Sequence, residues 1–193
     1  DGTVFQANIW DFGGQEIYHA THQFFLTKRS LYVLVVDTRQ DNTDLYYWLS
    51  IIDLLSDSRP TLIVKNEKED RQWEVNERQL RSEFKNLKEA LASNLAKNRG
   101  LENIKQTIQH YITALPHVGT PLPKKWVDVR QALETKSYNY ISLEEYYRLC
   151  EINGFSKKKE QLQLSEYLHD LGVCLHFQKD PILKHYLILK PEW

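Results

Sequence analysis

No methionine occurs in these 193 residues, and glycine and cysteine are scarce, at seven and two. None of the glycines is followed by lysine. Each absence excludes something. Without a starting methionine, Asp1 is not expected to be a translation start, and the chain reads as a piece of a longer protein. Without a Gly-Lys pair there is no Gly-x-x-x-x-Gly-Lys-[Ser/Thr] loop, the main-chain cradle that P-loop enzymes fold around nucleotide phosphates. Cys150 and Cys174 are too few for a disulfide framework and fit buried thiols in a reducing cytosol. The apolar run Leu31 to Val36 is far shorter than a membrane span needs. No basic-then-apolar leader opens the chain, so a cytoplasmic location is expected. Neither sign of charge dominates: 25 Lys and Arg stand against 26 Asp and Glu, a net charge of −1. No overall field therefore gathers nucleic acid or anionic lipid, and neither is expected as a partner.

What is present alternates between two patterns. Val4 to Asp11 predicts a strand ending in the glycine-marked turn Trp10-Asp11-Phe12-Gly13-Gly14-Gln15-Glu16. Ile17 to Leu26 has helical spacing. Leu31 to Val36 and Thr61 to Val64 are continuous apolar, β-branched runs, which suit strands buried on both faces of a parallel sheet. Helices are expected at about Thr43 to Leu55, Asn76 to Leu87 and Leu101 to Ile112, with a short strand at Leu91 to Leu95. This alternation implies a doubly wound α/β domain. Leu115 to Pro123 carries three prolines and a glycine, which no helix tolerates. A domain boundary falls there, giving residues 1–115 and 116–193. Beyond it, helices are expected around Trp126 to Glu134, Ser142 to Glu151 and Gln161 to Leu171. Ser142-Leu143-Glu144-Glu145 supplies a capping box, and Ser165 a candidate cap of a shorter turn. Val173 to Phe177 and Tyr186 to Leu189 look like a strand pair, so the second half has a winged-helix-like outline.

The segment Asp11-Phe12-Gly13-Gly14-Gln15 carries the chemistry. A carboxylate at the C-terminal end of a strand can hold Mg²⁺, directly or through water. A glycine three residues on lets its N–H approach a γ-phosphate with no side chain in the way. The next residue, Gln15, can orient an attacking water, since phosphoryl transfer needs positioning more than covalent chemistry. The bland alternative is a tight strand-to-helix turn with an exposed Asp and Gln.

Trp10 to Arg39, including Trp-Asp-Phe-Gly-Gly-Gln-Glu and His19-Ala20-Thr21-His22-Gln23-Phe24-Phe25, resembles the Roc domain of bacterial Roco proteins, a family that includes leucine-rich-repeat kinases. His117 to Trp126 resembles the start of the COR domain that follows Roc, and Pro191-Glu192-Trp193 a point inside COR where its first half ends. The resemblance covers essentially the whole chain. It implies an incomplete Ras-like P-loop GTPase fold lacking its P-loop, followed by the N-terminal half of COR. It also implies a GTP-binding and GTP-hydrolysing switch that uses Mg²⁺ and forms a homodimer through Roc and COR, with COR lying on the second switch. By resemblance Asp11 is the magnesium-side carboxylate, Gly14 the γ-phosphate contact and Gln15 the catalytic water-positioning residue. The family reads guanine with Asn-Lys-x-Asp after a buried strand. Here Asn66 matches, but Asn66-Glu67-Lys68-Glu69-Asp70 departs from the pattern. Without a gap Glu69 takes the carboxylate position; with one extra residue Asp70 does, and its shorter side chain suits bidentate recognition better. The last purine-contacting loop falls at Asn94-Leu95-Ala96, where only a main-chain N–H contact to guanine O6 is expected.

Other signals are weaker. His19 and His22 lie three apart on an expected helix, but no carboxylate or thiol completes a metal site. Lys157-Lys158-Lys159 beside a winged-helix-like unit invites a DNA-binding reading, against a solvated helix start. Two alternatives to a GTPase switch therefore stand: a non-hydrolysing interaction scaffold, and a winged-helix nucleic-acid binder fused to an α/β domain.

Overall fold

A computed structural model of the chain describes residues 7–12, 26–27, 29–37, 45–68 and 76–190. They form two compact units, one of residues 13–119 and one that joins residues 1–12 to residues 120–193.

The first unit is a parallel sheet with helices on both faces. Its described elements are β1 (Tyr32–Asp37), α1 (Leu45–Leu55), β2 (Thr61–Asn66), α2 (Glu77–Glu83), β3 (Leu87–Ser93), a 3₁₀ turn (Leu95–Lys97) and α3 (Leu101–Thr113). The strands lie in the order β1-β2-β3, both pairs parallel. Parallel neighbours joined by helices put those helices on the sheet faces. Alternate residues of the central strand accordingly serve two cores. Ile63 joins Val36, Leu45, Leu49, Leu80, Phe84 and Leu87 on the side of α1 and α2. Val64 joins Leu91 and Ile104 on the side of α3.

The expected runs at Leu31 and Thr61 form β1 and β2. The third strand differs from expectation. Lys88-Glu89-Ala90-Leu91-Ala92 consists of helix-forming residues, yet β3 starts at Leu87 and α2 stops at Glu83. Tertiary pairing overrides propensity here. The Asn86 carbonyl accepts from Thr61 N at 2.9 Å, and the buried Asn86 amide donates to Thr61 Oγ1 at 3.3 Å. These bonds draw the chain into the sheet four residues earlier than its periodicity suggests.

The second unit holds α4 (Lys124–Glu134), β4 (Tyr140–Ser142), α5 (Leu143–Ile152), α6 (Lys158–Asp170), a second 3₁₀ turn (Leu183–His185) and β5 (Tyr186–Ile188). Its core gathers Val129, Leu133, Ile141, Tyr146, Cys150, Phe155, Leu164, Leu168, Cys174 and Leu187, all buried. Ser142 caps α5 as its sequence predicts, its hydroxyl accepting from Glu145 N at 3.1 Å. Ser165 does not cap a turn. It lies inside α6, where its hydroxyl donates to Leu162 O at 2.9 Å. The expected strand pair is rearranged as well. β5 pairs antiparallel with β4, and Leu175 meets Ile188 only as an isolated bridge. A partner 46 residues away displaced the near one, because Ile141 and Leu187, opposite each other in that register, both enter the core.

Residues 7–12 form no strand, in contrast to the expectation for Val4 to Asp11. The Asn8 amide instead donates to Leu171 O at 3.0 Å, after the end of α6. The Trp10 indole closes over Gly172, which has φ +66°; a Cβ there would stand 2.7 Å from Trp10 Nε1. Among the described residues no helix is long and apolar enough to cross a membrane.

Candidate functional site

The C-terminal ends of β2 and β3 meet in a dense polar corner. In an open α/β sheet, ligands bind beyond such strand ends. Asn66 ends β2 and is 8% exposed; Asn94 follows β3 and is 2% exposed. Buried amides need partners, and both have them. The Asn66 Oδ1 accepts from Leu95 N at 3.1 Å. The Asn94 Oδ1 accepts from Lys97 N at 3.1 Å, which caps the 3₁₀ turn, while its Nδ2 donates to Glu67 O at 2.9 Å. Ser93 Oγ donates to Lys65 O at 3.2 Å.

The turn is shaped by backbone as much as by side chains. Asn94 and Arg99 exchange main-chain hydrogen bonds of 2.9 and 3.0 Å. Asn98 adopts the left-handed conformation with φ 55°. Gly100, at φ +79°, leads into α3 at a place where a Cβ would lie 2.8 Å from Ala92 O, so only glycine fits. The remaining first-turn donor is Ala96. It is exposed, and among the described residues its N–H has no acceptor. Two buried amides thus hold a short turn whose middle N–H is available to a carbonyl oxygen on a ligand.

Two ion pairs flank the corner. Lys68 Nζ lies 3.0 Å from Asp37 Oδ2 at the end of β1. Arg99 Nη2 lies 2.9 Å from Glu67 Oε2. Sequence reasoning singled out Asn66, Asn94 and Ala96, which the fold brings together at one corner. It missed Glu67, Arg99, Asp37 and Ser93. Only Glu67 carried a signal, as the residue that interrupts Asn-Lys-x-Asp.

The other expected site residues are less visible. Asp11 is exposed. Gly14, Gln15, Glu69 and Asp70 lie outside the described residues, as do His19 and His22. Among the described residues no three metal-ligating side chains cluster.

Elsewhere, titratable groups are perturbed by burial rather than by a site. Desolvation holds His169 and His176 below the usual histidine range; a carbonyl of Lys184 beside His176 opposes this in part. The buried thiols are pushed up, Cys150 to about 11 and Cys174 to about 12. They stay protonated and unreactive near neutrality. The Lys157 to Lys159 run starts α6, with Lys157 3.8 Å from Glu160 and Lys158 over the Tyr147 ring at 5.4 Å.

Known proteins resemble this chain over nearly its whole length. The model of the Roc family, Ras of Complex, domain of DAPkinase, matches residues 1–69. The model of the COR-A domain, C-terminal of Roc, matches residues 123–193. A probable serine/threonine-protein kinase of Dictyostelium discoideum, pats1, is 26% identical over 200 residues, covering 96% of this chain and 6% of that protein. The Roc-COR-CHAT protease of Runella zeae is 26% identical over 206 residues, covering 99% of this chain and 22% of that protein. A solved structure of Methanosarcina barkeri Roco2 RocCORdC bound to GDP is 38% identical, with a TM-score of 0.87 over 95% of this chain and 57% of that one. The chain thus spans only a small part of the curated relatives it matches.

Proposed function

This chain is a Roc–COR segment of the Roco family, and from that premise we propose that it belongs to a GTP-hydrolysing switch whose guanine base is read at the Asn66–Ala96 corner. The observation that carries the reading is the turn itself: Asn66 Oδ1 fixes Leu95 N, Asn94 caps the turn, and the Ala96 N–H stays available. Such an N–H suits guanine O6, an acceptor, and not the amino group that adenine carries in its place. Asp70 accepts from guanine N1 and N2. The GDP bound to the Methanosarcina relative supports the same ligand class.

At the phosphate end, Asp11 is suited to hold hydrated Mg²⁺, Gly14 to meet the γ-phosphate through its N–H, and Gln15 to orient the attacking water. Mg²⁺ supplies charge neutralisation on the phosphates. The main-chain cradle, its Lys and its Ser/Thr are not among these 193 residues. The 193-residue chain by itself should therefore neither bind GTP tightly nor turn it over, and the complete protein should do both. The sequence pattern puts the domain boundary between residues 115 and 116, close to the division of the compact units between residues 119 and 120. On this reading COR is expected to act on the second switch, Ile17 to Phe25, and to share a homodimer contact with Roc. The hold of the α6 end on Asn8 and Trp10, just before Asp11, supports such coupling.

Replacing Gln15 with Leu in the complete protein is the direct test. GTP affinity should remain near normal while single-turnover hydrolysis slows markedly. An unchanged rate would show that another residue positions the water. Calorimetry of residues 1–193 with GTP and Mg²⁺ should give only weak binding; micromolar or tighter affinity would mean that the phosphate site is built from other residues.

A further inference from the structure

We propose that His169 is the proton-sensitive catch of a latch: it holds residues 176–185, the strap between the Leu175 bridge and β5, against α6, and mild acid frees the strap while the core beneath stays folded.

The strap is anchored at its ends and tied to α6 by polar contacts. Leu175 and Ile188 exchange main-chain hydrogen bonds of 2.8 and 2.9 Å, and Leu187 is buried. Between these ends, Gln178 Nε2 donates to Leu162 O at 2.9 Å and to Ser165 Oγ at 3.1 Å. His176 Nδ1 lies 2.8 Å from Ser165 Oγ, and its Nε2 lies 3.0 Å from Lys184 O. The His176 N–H donates to His169 Nδ1 at 3.3 Å. The Phe177 ring stands edge-on to the His169 ring at 5.6 Å. Ile182, within the strap, is exposed and lies outside the core. A segment held chiefly by polar contacts opens locally before the core does.

The two imidazoles differ in what protonation does to their bonds. Lys184 O can only accept, so His176 Nε2 carries a proton. The His176 Nδ1 faces a hydroxyl, which can donate or accept. When Nδ1 is bare, Ser165 donates to it. When Nδ1 is protonated, Ser165 accepts and turns its own proton to Leu162 O, 2.9 Å away. His176 thus keeps its partners in either charge state. His169 does not. Its Nδ1 faces a main-chain N–H, which can only donate, so Nδ1 must be bare and the ring neutral with its proton on Nε2. A second proton would set N–H against N–H, and His169 would have to let go of the strap. The more buried histidine is therefore the tolerant one, and its less buried neighbour is the sensor.

The surroundings fix the sign. On α6, Glu166 and Asp170 face His169 and favour its charged form, but desolvation outweighs them and holds the ring below the ordinary histidine range. From the strap, the facing titratable group is His176. Lys184 meets that second ring through its carbonyl, and the Asp180 carboxylate is engaged by the N–H groups of Ile182 and Leu183. From α5, the Tyr146 hydroxyl lies against Ser165 and stays protonated. Asn8 and Trp10, packed at residues 171–172, do not titrate. Opening returns His169 to its ordinary range. Above that range both states are neutral and pH has no effect; below it the open state binds more protons and is favoured.

Hydrogen exchange of the complete protein, corrected for intrinsic rates, tests the latch. Between pH 7.5 and 5.5, exchange across 176–185 should rise roughly threefold or more, within the about hundredfold that one proton can supply over two pH units. The amides of α5 should keep their protection. His169→Asn, whose Oδ1 stands in for the bare Nδ1 but takes up no proton, should keep the strap closed and flatten the response. Gln178→Ala removes a tie that does not titrate; it should raise exchange by a similar factor at both pH values and leave the response intact. Unchanged exchange in the parent, a rise shared equally by α5, a response surviving in His169→Asn or one lost in Gln178→Ala would each overturn the proposal. Ring nitrogen shifts in the 193-residue chain give a check that needs no variant: at pH 7.5 neutral His169 should carry its proton on Nε2, and the other tautomer would overturn the latch as well.

Discussion

Among the described residues, the C-terminal unit closes its core on itself, and the α/β unit does not. Ten buried residues, eight of them from three helices and both short strands, share one cluster in the former. In the latter, among the described residues, β1 is covered on one face only. Leu34 and Val36 pack toward α1 and α2, while Val33 and Val35, pointing the other way, are 37% and 56% exposed. A parallel sheet normally has both faces covered. The contrast teaches that the helical unit has the features of an independently stable module, whereas the sheet unit carries apolar surface suited to a further layer of the complete protein.

The largest effect expected from this contrast comes from the helical core. Leu164→Ala should cost that unit roughly 2–5 kcal/mol through lost burial and a residual cavity. Hydrogen exchange should then speed up across α5 and α6 while β2 keeps its protection. Equal loss in both units would mean that they unfold as one block and would break the comparison.

Acid should separate the units in the same direction. His169 and His176 lie in the helical unit and are held below the normal histidine range chiefly by desolvation. A group with a depressed folded pKa favours the native state while neutral, so its contribution is present above the unfolded value near 6.5. It is lost as pH falls from there toward the folded value, because the unfolded chain then binds more protons. His117, depressed by burial with Arg29 and Arg59 nearby, is the one such histidine described in the α/β unit. Denaturant titrations at pH 7 and pH 5, read by exchange in each unit, should show the greater loss in the helical unit. A His176→Gln variant should reduce that pH dependence.

The smallest effect sharpens the picture of β1. Val35→Thr on the open face should change the stability of the 193-residue chain by less than about 0.5 kcal/mol. Val36→Ala on the covered face should cost roughly 1–3 kcal/mol. A large penalty at Val35 would show that its face is covered in solution, and the asymmetry described above would fall.

Composition and pattern alone carried a good deal. The buried runs at Leu31 and Thr61 read as parallel strands because no polar residue interrupts them, and the proline-rich stretch from Leu115 marked the change of pattern. Ser142 read as a cap because its chemistry is local. Asn66 was legible from its place at the end of a buried strand. The sequence misjudged what depends on distant partners. Residues 88–92 have helical propensity and became a strand because Asn86 bonds to Thr61, 25 residues earlier. Ser165, with the chemistry of a cap, sits mid-helix beside His176, its Oγ 2.8 Å from that ring's Nδ1. β5 found β4 rather than the nearer Leu175 segment because that pairing buries Ile141 and Leu187 together. Most of all, the pairing of Glu67 with Arg99 spans 32 residues and joins segments that follow two different strands. Local propensity and burial demand are properties of a stretch of chain and can be read from it. A hydrogen bond or ion pair between remote residues exists only once the sheet has set their separation, and so only the tertiary structure decided it.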